Sequence, residues 1–339
     1  MSSSQQPNLR LERFKAVARN QNSILLSVLI ALAIIFTLAE PLFFSVPTAG
    51  NILTDWGSIV LLAAGQTLVI ISGGIDLSVG GTLAISGVAS AWMMSVVLGF
   101  DTTTSGPDAY PPLMIGAITA AATGILVGLV NGFLITKLRI VPFVATLSTM
   151  GATLGFAIII SNGMPIGGPN DFSIISPINP NWMPLSWAVI GVIIIVTIVG
   201  LFLHKSRFGL HTYAVGSNSF AARAAGINVE RHLTKVYALA GGLAGLAGFY
   251  VYLRLGAGSP TSGTMRELDA IAAVVIGGAS LMGGVGRMLG TVIGALILFT
   301  VQSGLIMAGV APDWKKVVVA VLIAAAVAAQ TLRRENRQR

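Results

Sequence analysis

Apolar residues fill this chain in long runs, interrupted at intervals by short polar stretches. A bilayer's hydrocarbon core of about 30 Å takes about 20 helical residues to cross. By that measure the pattern predicts ten crossings, at 24–44, 57–74, 79–99, 113–136, 142–161, 185–203, 234–253, 267–282, 288–308 and 315–332. The predicted fold class is an all-α polytopic membrane protein of about ten transmembrane helices. Residues 1–22 form an N-terminal segment, 23–332 the membrane domain and 333–339 a tail. The first run is longer than a signal-peptide core and has no small-x-small cleavage site, so it is expected to stay as a helix.

One long interior stretch, 204–235, departs from this pattern by being polar and basic. Within it Ser217, Asn218 and Ser219 are N-cap candidates, 220–225 is an Ala-rich helical run, and Gly226 stands where a helix would stop. A helix of about two turns is marginal alone in water. It is therefore expected to lie against a partner, with Ala221 and Ala222 allowing close approach and Arg223 beside them.

Composition supports the membrane reading, with 54% apolar residues, 9% charged and none of them Cys. Soluble chains carry about a quarter charged residues. The missing cysteines exclude disulfides, thiolate metal sites and cysteine nucleophiles. The net charge of +8 falls mainly on 10–19, on Lys137 and Arg139, on 204–235 and on the tail. Those segments are expected on the cytoplasmic side, with both termini there. Segments holding Asp55, Asp101, Asp108, Asp171 and Asp313 then fall outside, whereas Lys315 and Lys316 run against the rule. No basic face is interleaved with aromatics, so nucleic acid is not expected as a partner.

The second and eighth crossings share Gly-Gly-x-x-Leu-x-x-Gly: Gly73, Gly74, Leu77 and Gly80 against Gly277, Gly278, Leu281 and Gly284. In transporters, paired Gly-interrupted segments mark where helices break around the pathway; glycines also let helices pack closely. Packing accounts for Gly124, Gly128 and Gly132, spaced four apart, and for Gly241 with Gly245. Asp76, followed by Leu77 and Ser78, is expected to cap a helix beginning near Leu77.

The chemistry of catalysis is sparse. His204, His211 and His232 form no metalloprotease motif, no metal site is expected, and residues 200–206 place His204 where a phosphate loop needs glycine. Polar residues in apolar spans, above all Gln66, Asn131 and Gln302, are candidates for lining a route for a neutral solute, or for bonding between helices. Arg254 and Arg266 are candidates for docking an acidic partner from outside, or for interfacial anchoring.

Three segments in this order carry a resemblance: Gly73-Gly74-Ile75-Asp76-Leu77-Ser78-Val79-Gly80; Tyr213-Ala214-Val215-Gly216-Ser217-Asn218 with Ala221-Ala222-Arg223 and Gly226-Ile227; and Glu267 through Gly278. Over about residues 50–330 the chain resembles the ribose-type permeases of bacterial ABC importers. That resemblance implies a transmembrane subunit paired with a second copy or a sister permease, seated on two ATPase subunits and served by a periplasmic sugar-binding protein. It makes the 217–226 region a coupling helix entering a cleft of the ATPase. ATP would be used by the partner, with no cofactor bound by this chain. Phe220 stands where the related importer loop has Glu. The alternative from a different class is an ion-coupled secondary transporter of a small polar solute.

Overall fold

The computed structural model describes residues 21–311 and scattered positions from 314 to 328. The helices are α1 (Gln21–Ala39), α2 (Val46–Ile71), α3 (Val79–Trp92, prolonged by a π turn over Met93–Val97), α4 (Tyr110–Thr136), α5 (Pro142–Ser161) and α6 (Trp187–Lys205). They continue as α7 (Arg207–Ser217), α8 (Ser219–Ala224), α9 (Val229–Leu255), α10 (Arg266–Ile276) and α11 (Met288–Met307). Two-residue strands β1 (Ile166–Gly167) and β2 (Ala257–Gly258) pair antiparallel. The end of the bundle where α7 and α8 lie is called the basic end below, and the opposite end the far end.

Eight of the ten expected crossings are helices long and apolar enough to span a membrane, which makes this a multi-pass membrane protein. The eighth is corrected. Its helix, α10, has 11 residues and covers about 17 Å, roughly half the hydrocarbon core. The tenth, 315–332, lies outside the described residues apart from scattered positions, as do Lys315, Lys316, Asp313, the N-terminal segment to residue 20 and the tail.

The second crossing is also corrected, because α2 begins at Val46 and has 26 residues. Thr48, Asn51, Thr54 and Asp55 dilute its first half, which hid it from a hydropathy reading. Ser45 starts it, its Oγ accepting from Thr48 N at 3.4 Å, with Pro47 in the first turn. Asp55 thus belongs to a helix and not to a loop.

From Trp56 to Ile71 every residue of α2 is buried, at the centre of a cage of α9, α11, α10 and α6. Lipid tails are as apolar as leucine, so close backbone packing replaces the hydrophobic effect as the cohesive term between these helices. The closest pair is α4 with α9. A methyl group at Gly124 would collide with the Gly241 carbonyl, one at Gly128 with the Tyr237 carbonyl, and one at Gly245 with the Ala120 carbonyl.

These contacts make a prediction about stability. Gly128→Val should destabilise by about 1–3 kcal/mol through overpacking, lowering the yield of monodisperse protein on detergent size exclusion. Gly151→Val, where an added Cβ meets nothing within 4 Å, should leave that yield unchanged.

Candidate functional site

Two interrupted helices meet at the basic end, and both stop in the same way. After α2, Gly73 takes φ +88°, its N–H donates to Ile70 O at 3.0 Å, and Gly74 N donates to Val69 O at 3.0 Å. After α10, Gly278 takes φ +87°, its N–H donates to Val275 O at 2.9 Å, and Ala279 N donates to Val274 O at 3.1 Å. Each is a left-handed glycine closure that satisfies the helix's last carbonyls. The repeat seen in the sequence is therefore shifted by one residue in the structure. The left-handed glycine is the first of its pair in Gly73-Gly74 and the second in Gly277-Gly278. Gly277 instead serves packing, its Cα turned onto Gly290 and Thr291 of α11.

The two breaks touch each other and the end of α7. Gly284 N donates to Ile71 O at 2.8 Å, joining the second break to the end of α2. A methyl at Gly216, next to last in α7, would collide with that same Ile71 carbonyl and lie 2.8 Å from Gly284 N. A methyl at Gly283 would fall 2.7 Å from Gly216 O and 2.9 Å from Gly73 Cα. Four glycines from three separate segments thus form one backbone junction. Two residues after Gly216, Asn218 caps α8, its Oδ1 accepting from Ala221 N at 2.9 Å.

Beyond the first break, the chain is pinned by a buried polar chain. Asp76 Oδ1 accepts from Ser78 N at 2.8 Å and from Ser78 Oγ at 2.6 Å. Ser78 Oγ accepts from Asn131 Nδ2 of α4 at 2.8 Å, and Asn131 Oδ1 accepts from Thr149 Oγ1 of α5 at 2.6 Å. The hydrogen-bonding neighbours orient the Gln66 amide so that Nε2 donates to Asp76 O at 3.1 Å and Oε1 accepts from Asp76 N at 3.2 Å. Leu77 N donates to Thr146 Oγ1 at 3.1 Å. Gln66 and Asn131, read from sequence as lining a route or bonding between helices, have 0% exposure here and hold Asp76 and Ser78 in place. The expected cap is corrected: α3 begins at Val79 with Ser78 at its N-cap and no side-chain cap bond, and Asp76 instead accepts from Ser78 two residues on.

The stretch 204–235 contains one helix that the sequence reading did not separate, α7, started by Ser206 Oγ accepting from Gly209 N at 3.3 Å. Of the three N-cap candidates for the shorter helix, Asn218 is the one used; Ser219 is its first helical residue. Helix α8 ends at a third left-handed glycine, Gly226 (φ +86°), with Ile227 N donating to Ala222 O at 3.1 Å. Ala222 is buried with Val215 and Val229. Phe220 is 83% exposed, and Ser217, Ala221, Arg223 and Gly226 are exposed beside it. A short helix with an exposed aromatic and an exposed cation stands out from the bundle.

At the far end, a cavity of about 480 Å³ is lined by Asn51, Thr54, Asp55, Arg254, Gln302 and Ser303 among others. Gln302 lines this cavity, and its Oε1 is buried with no protein hydrogen-bond partner. Arg254, read from sequence as a docking residue or an interfacial anchor, is in the last turn of α9 and ion-paired with Asp55. Arg266 opens α10 and is half-buried. The loops at this end remain acidic. Asp101 is held below the ordinary carboxylate range by hydrogen bonds from the Thr103 side chain and amide, and Asp171 by those from Ser173.

The geometry thus comprises interrupted helices, a polar far-end cavity and a projecting short helix, with no cluster of three or more metal-ligating side chains among the described residues. Comparison with known proteins gives it a family. The ribose import permease protein RbsC of Escherichia coli (strain K12) is 37% identical over 318 residues, covering 92% of this chain and 94% of the relative. RbsC of Bacillus subtilis (strain 168) is 39% identical over 300 residues, covering 88% and 89%. The fructose import permease protein FrcC of Rhizobium meliloti is 34% identical over 293 residues, covering 84% and 78%. No solved structure shows a significant match. The family model described as branched-chain amino acid transport system / permease component matches residues 48–327, nearly the whole membrane domain, and the chain therefore belongs to that family of transport permeases.

Proposed function

We propose that this chain is the transmembrane permease subunit of an ATP-binding cassette importer, carrying a monosaccharide or similar small polyol into a bacterial cell. It would work as a pair of permease subunits in the inner membrane with both termini cytoplasmic, on ATPase subunits that bind the ATP. A periplasmic binding protein would deliver the solute at the far end. The relatives support the solute class by their names, which specify ribose and fructose.

The observation that carries the mechanism is the glycine junction. Helix α8 offers the ATPase Phe220, Arg223 and the exposed face of Ala221, and Ala222 fixes its other face to the bundle. Arg223 also borders a cavity of about 360 Å³ with Arg139 and Glu230, so a partner side chain has room beside it. Displacement of α8 passes to Gly216, two residues before its cap, and from there to Ile71 and Gly284 in the same contact. One push would therefore move both interrupted helices together. The ATPase does work on the permease only if it binds the two conformations with different affinity, and rocking of packed helices about a hinge is the usual form of such a change.

Extraction from native membranes in mild detergent should recover an ATPase subunit with this chain in comparable amount, and vesicles holding the complex should take up sugar only with ATP. A chain that comes out alone and moves solute along an ion gradient without ATP would establish the secondary-transport alternative.

Arg223→Glu and Gly226→Pro should each reduce ATP-driven uptake to background while the amount of protein in the membrane is unchanged; normal uptake by both would dismiss α8 as the coupling element. Asp76→Asn should lower folded yield, at a cost of about 1–3 kcal/mol for weakening the buried hydrogen bonds from Ser78, more than it alters apparent sugar affinity in uptake assays. A fully folded Asp76→Asn protein with changed sugar preference would place Asp76 in the route.

A further inference from the structure

Between α9 and α10 the backbone leaves helical form inside the membrane. The chain turns at Gly256, forms β2 and descends through consecutive turns to Arg266, where α10 begins. Its depth can be read from its neighbours. Gly258 packs on Gly87 and Ala91 of α3, and Gly263 packs on Gly80 and Ala84. Seven helical residues separate Gly80 from Gly87, so the segment sinks by about 10 Å. Gly81, next to Gly80, lies against Met150 and Thr153, which are about 12–17 Å along α5 from its start at Pro142. In a core of about 30 Å, that is mid-depth.

Turns at mid-depth are not compatible with lipid. Unpaired backbone groups there cost several kcal/mol each in hydrocarbon, so non-helical backbone survives only inside protein or beside water. The start of this segment is enclosed, with Gly258, Pro260 and Gly263 buried. Its other side is open: Thr261 and Thr264 are exposed, Met265 is 45% exposed, and Leu268 is 39% exposed. Glu267 reaches Gly80, where a methyl would collide with its Oε2, so the last glycine of the first motif exists to admit this segment. Met265, at φ +64°, is a non-glycine residue in the left-handed region at the N-cap of the half-helix. Such positions cost about 1–3 kcal/mol and cluster at functional turns.

We propose that residues 259–269 line the water-filled route through which the solute crosses, presenting the hydroxyls of Thr261 and Thr264 to a neutral polyhydroxylated ligand at mid-depth. The inference rests on the transport reading above but not on which energy source drives it. It assigns the lining to a segment with no strong hydropathy signal, in place of Gln66 and Asn131, which are fully buried. The exposed Thr261 and Thr264 hydroxyls, bonded within the segment to Ser259 Oγ and Thr261 O, keep lone pairs free to accept from a solute.

The chain has no cysteine, so single replacements report without background. Thr261→Cys, Thr264→Cys and Met265→Cys would be treated in membranes with a cationic, lipid-insoluble methanethiosulfonate, at rest and during turnover with ATP and ribose. Labelling of this chain would be read by mass. Ile198→Cys, on the outward face of α6 and 60% exposed, is the lipid-facing control. Thiolate forms only beside water, and each unit of pKa elevation in apolar surroundings cuts it about tenfold. The Thr264→Cys protein should therefore react at least about tenfold faster than the Ile198→Cys control in one of the two conditions, with ribose slowing the reaction. The modified protein should lose uptake.

Rates for all three variants no faster than for the Ile198→Cys control, in protein that still takes up ribose, would overturn the lining while leaving the transport reading intact. Fast labelling of the Thr264→Cys variant without slowing by ribose, in a protein that fails to import any sugar, would sustain a water-filled route and refute the sugar assignment.

Discussion

Hydrocarbon cannot satisfy a backbone N–H or C=O, so every interruption of a membrane helix has to be closed by protein. This chain interrupts two of its helices and closes both with left-handed glycines at Gly73 and Gly278. The bond from Gly284 N to Ile71 O ties one interruption to the other. The junction forms only because Gly216 and Gly283 lack side chains, since a Cβ at either would drive the segments apart. The position of helix α8, the start of α3 and the reach of α10 all follow from that contact.

On one side of this junction the structure is rigid. Asp76, Ser78, Asn131, Thr149 and Gln66 form a buried network linking α2, α3, α4 and α5. A hydrogen-bonded network in a low-dielectric interior holds one arrangement strongly. On the other side stands α8, six residues long and anchored by Ala222. On the coupling reading proposed above, a small element joined to a stiff block through a glycine contact would pass displacement on and not absorb it by local bending.

Hydropathy, caps and glycine punctuation carried much of this fold. Eight crossings were legible because a bilayer demands long apolar helices. The short helix was legible too, because Asn218 and Gly226 are its start and stop. What escaped were features whose residues look ordinary in one dimension. The first half of α2 was missed because its polar residues line a cavity. Arg254 appeared as a free outer cation because Asp55, its partner, is 199 positions away in the chain and was read as part of a loop. The single-residue offset between the two glycine closures is invisible in a motif, since either glycine of a pair can take positive φ.

The sequence by itself determined the membrane class, the placement of charge, the caps of α8 and the family, each through a local or additive property of residues along the chain. The tertiary structure alone decided that the glycine breaks converge on Gly216, that Gln66 and Asn131 are structural pins in this conformation, and that a non-helical segment reaches mid-depth beside Gly80. The physical reason is that these are matters of which backbones approach one another across long loops. Glycine permits close approach wherever it occurs, but only the packed bundle selects its neighbour.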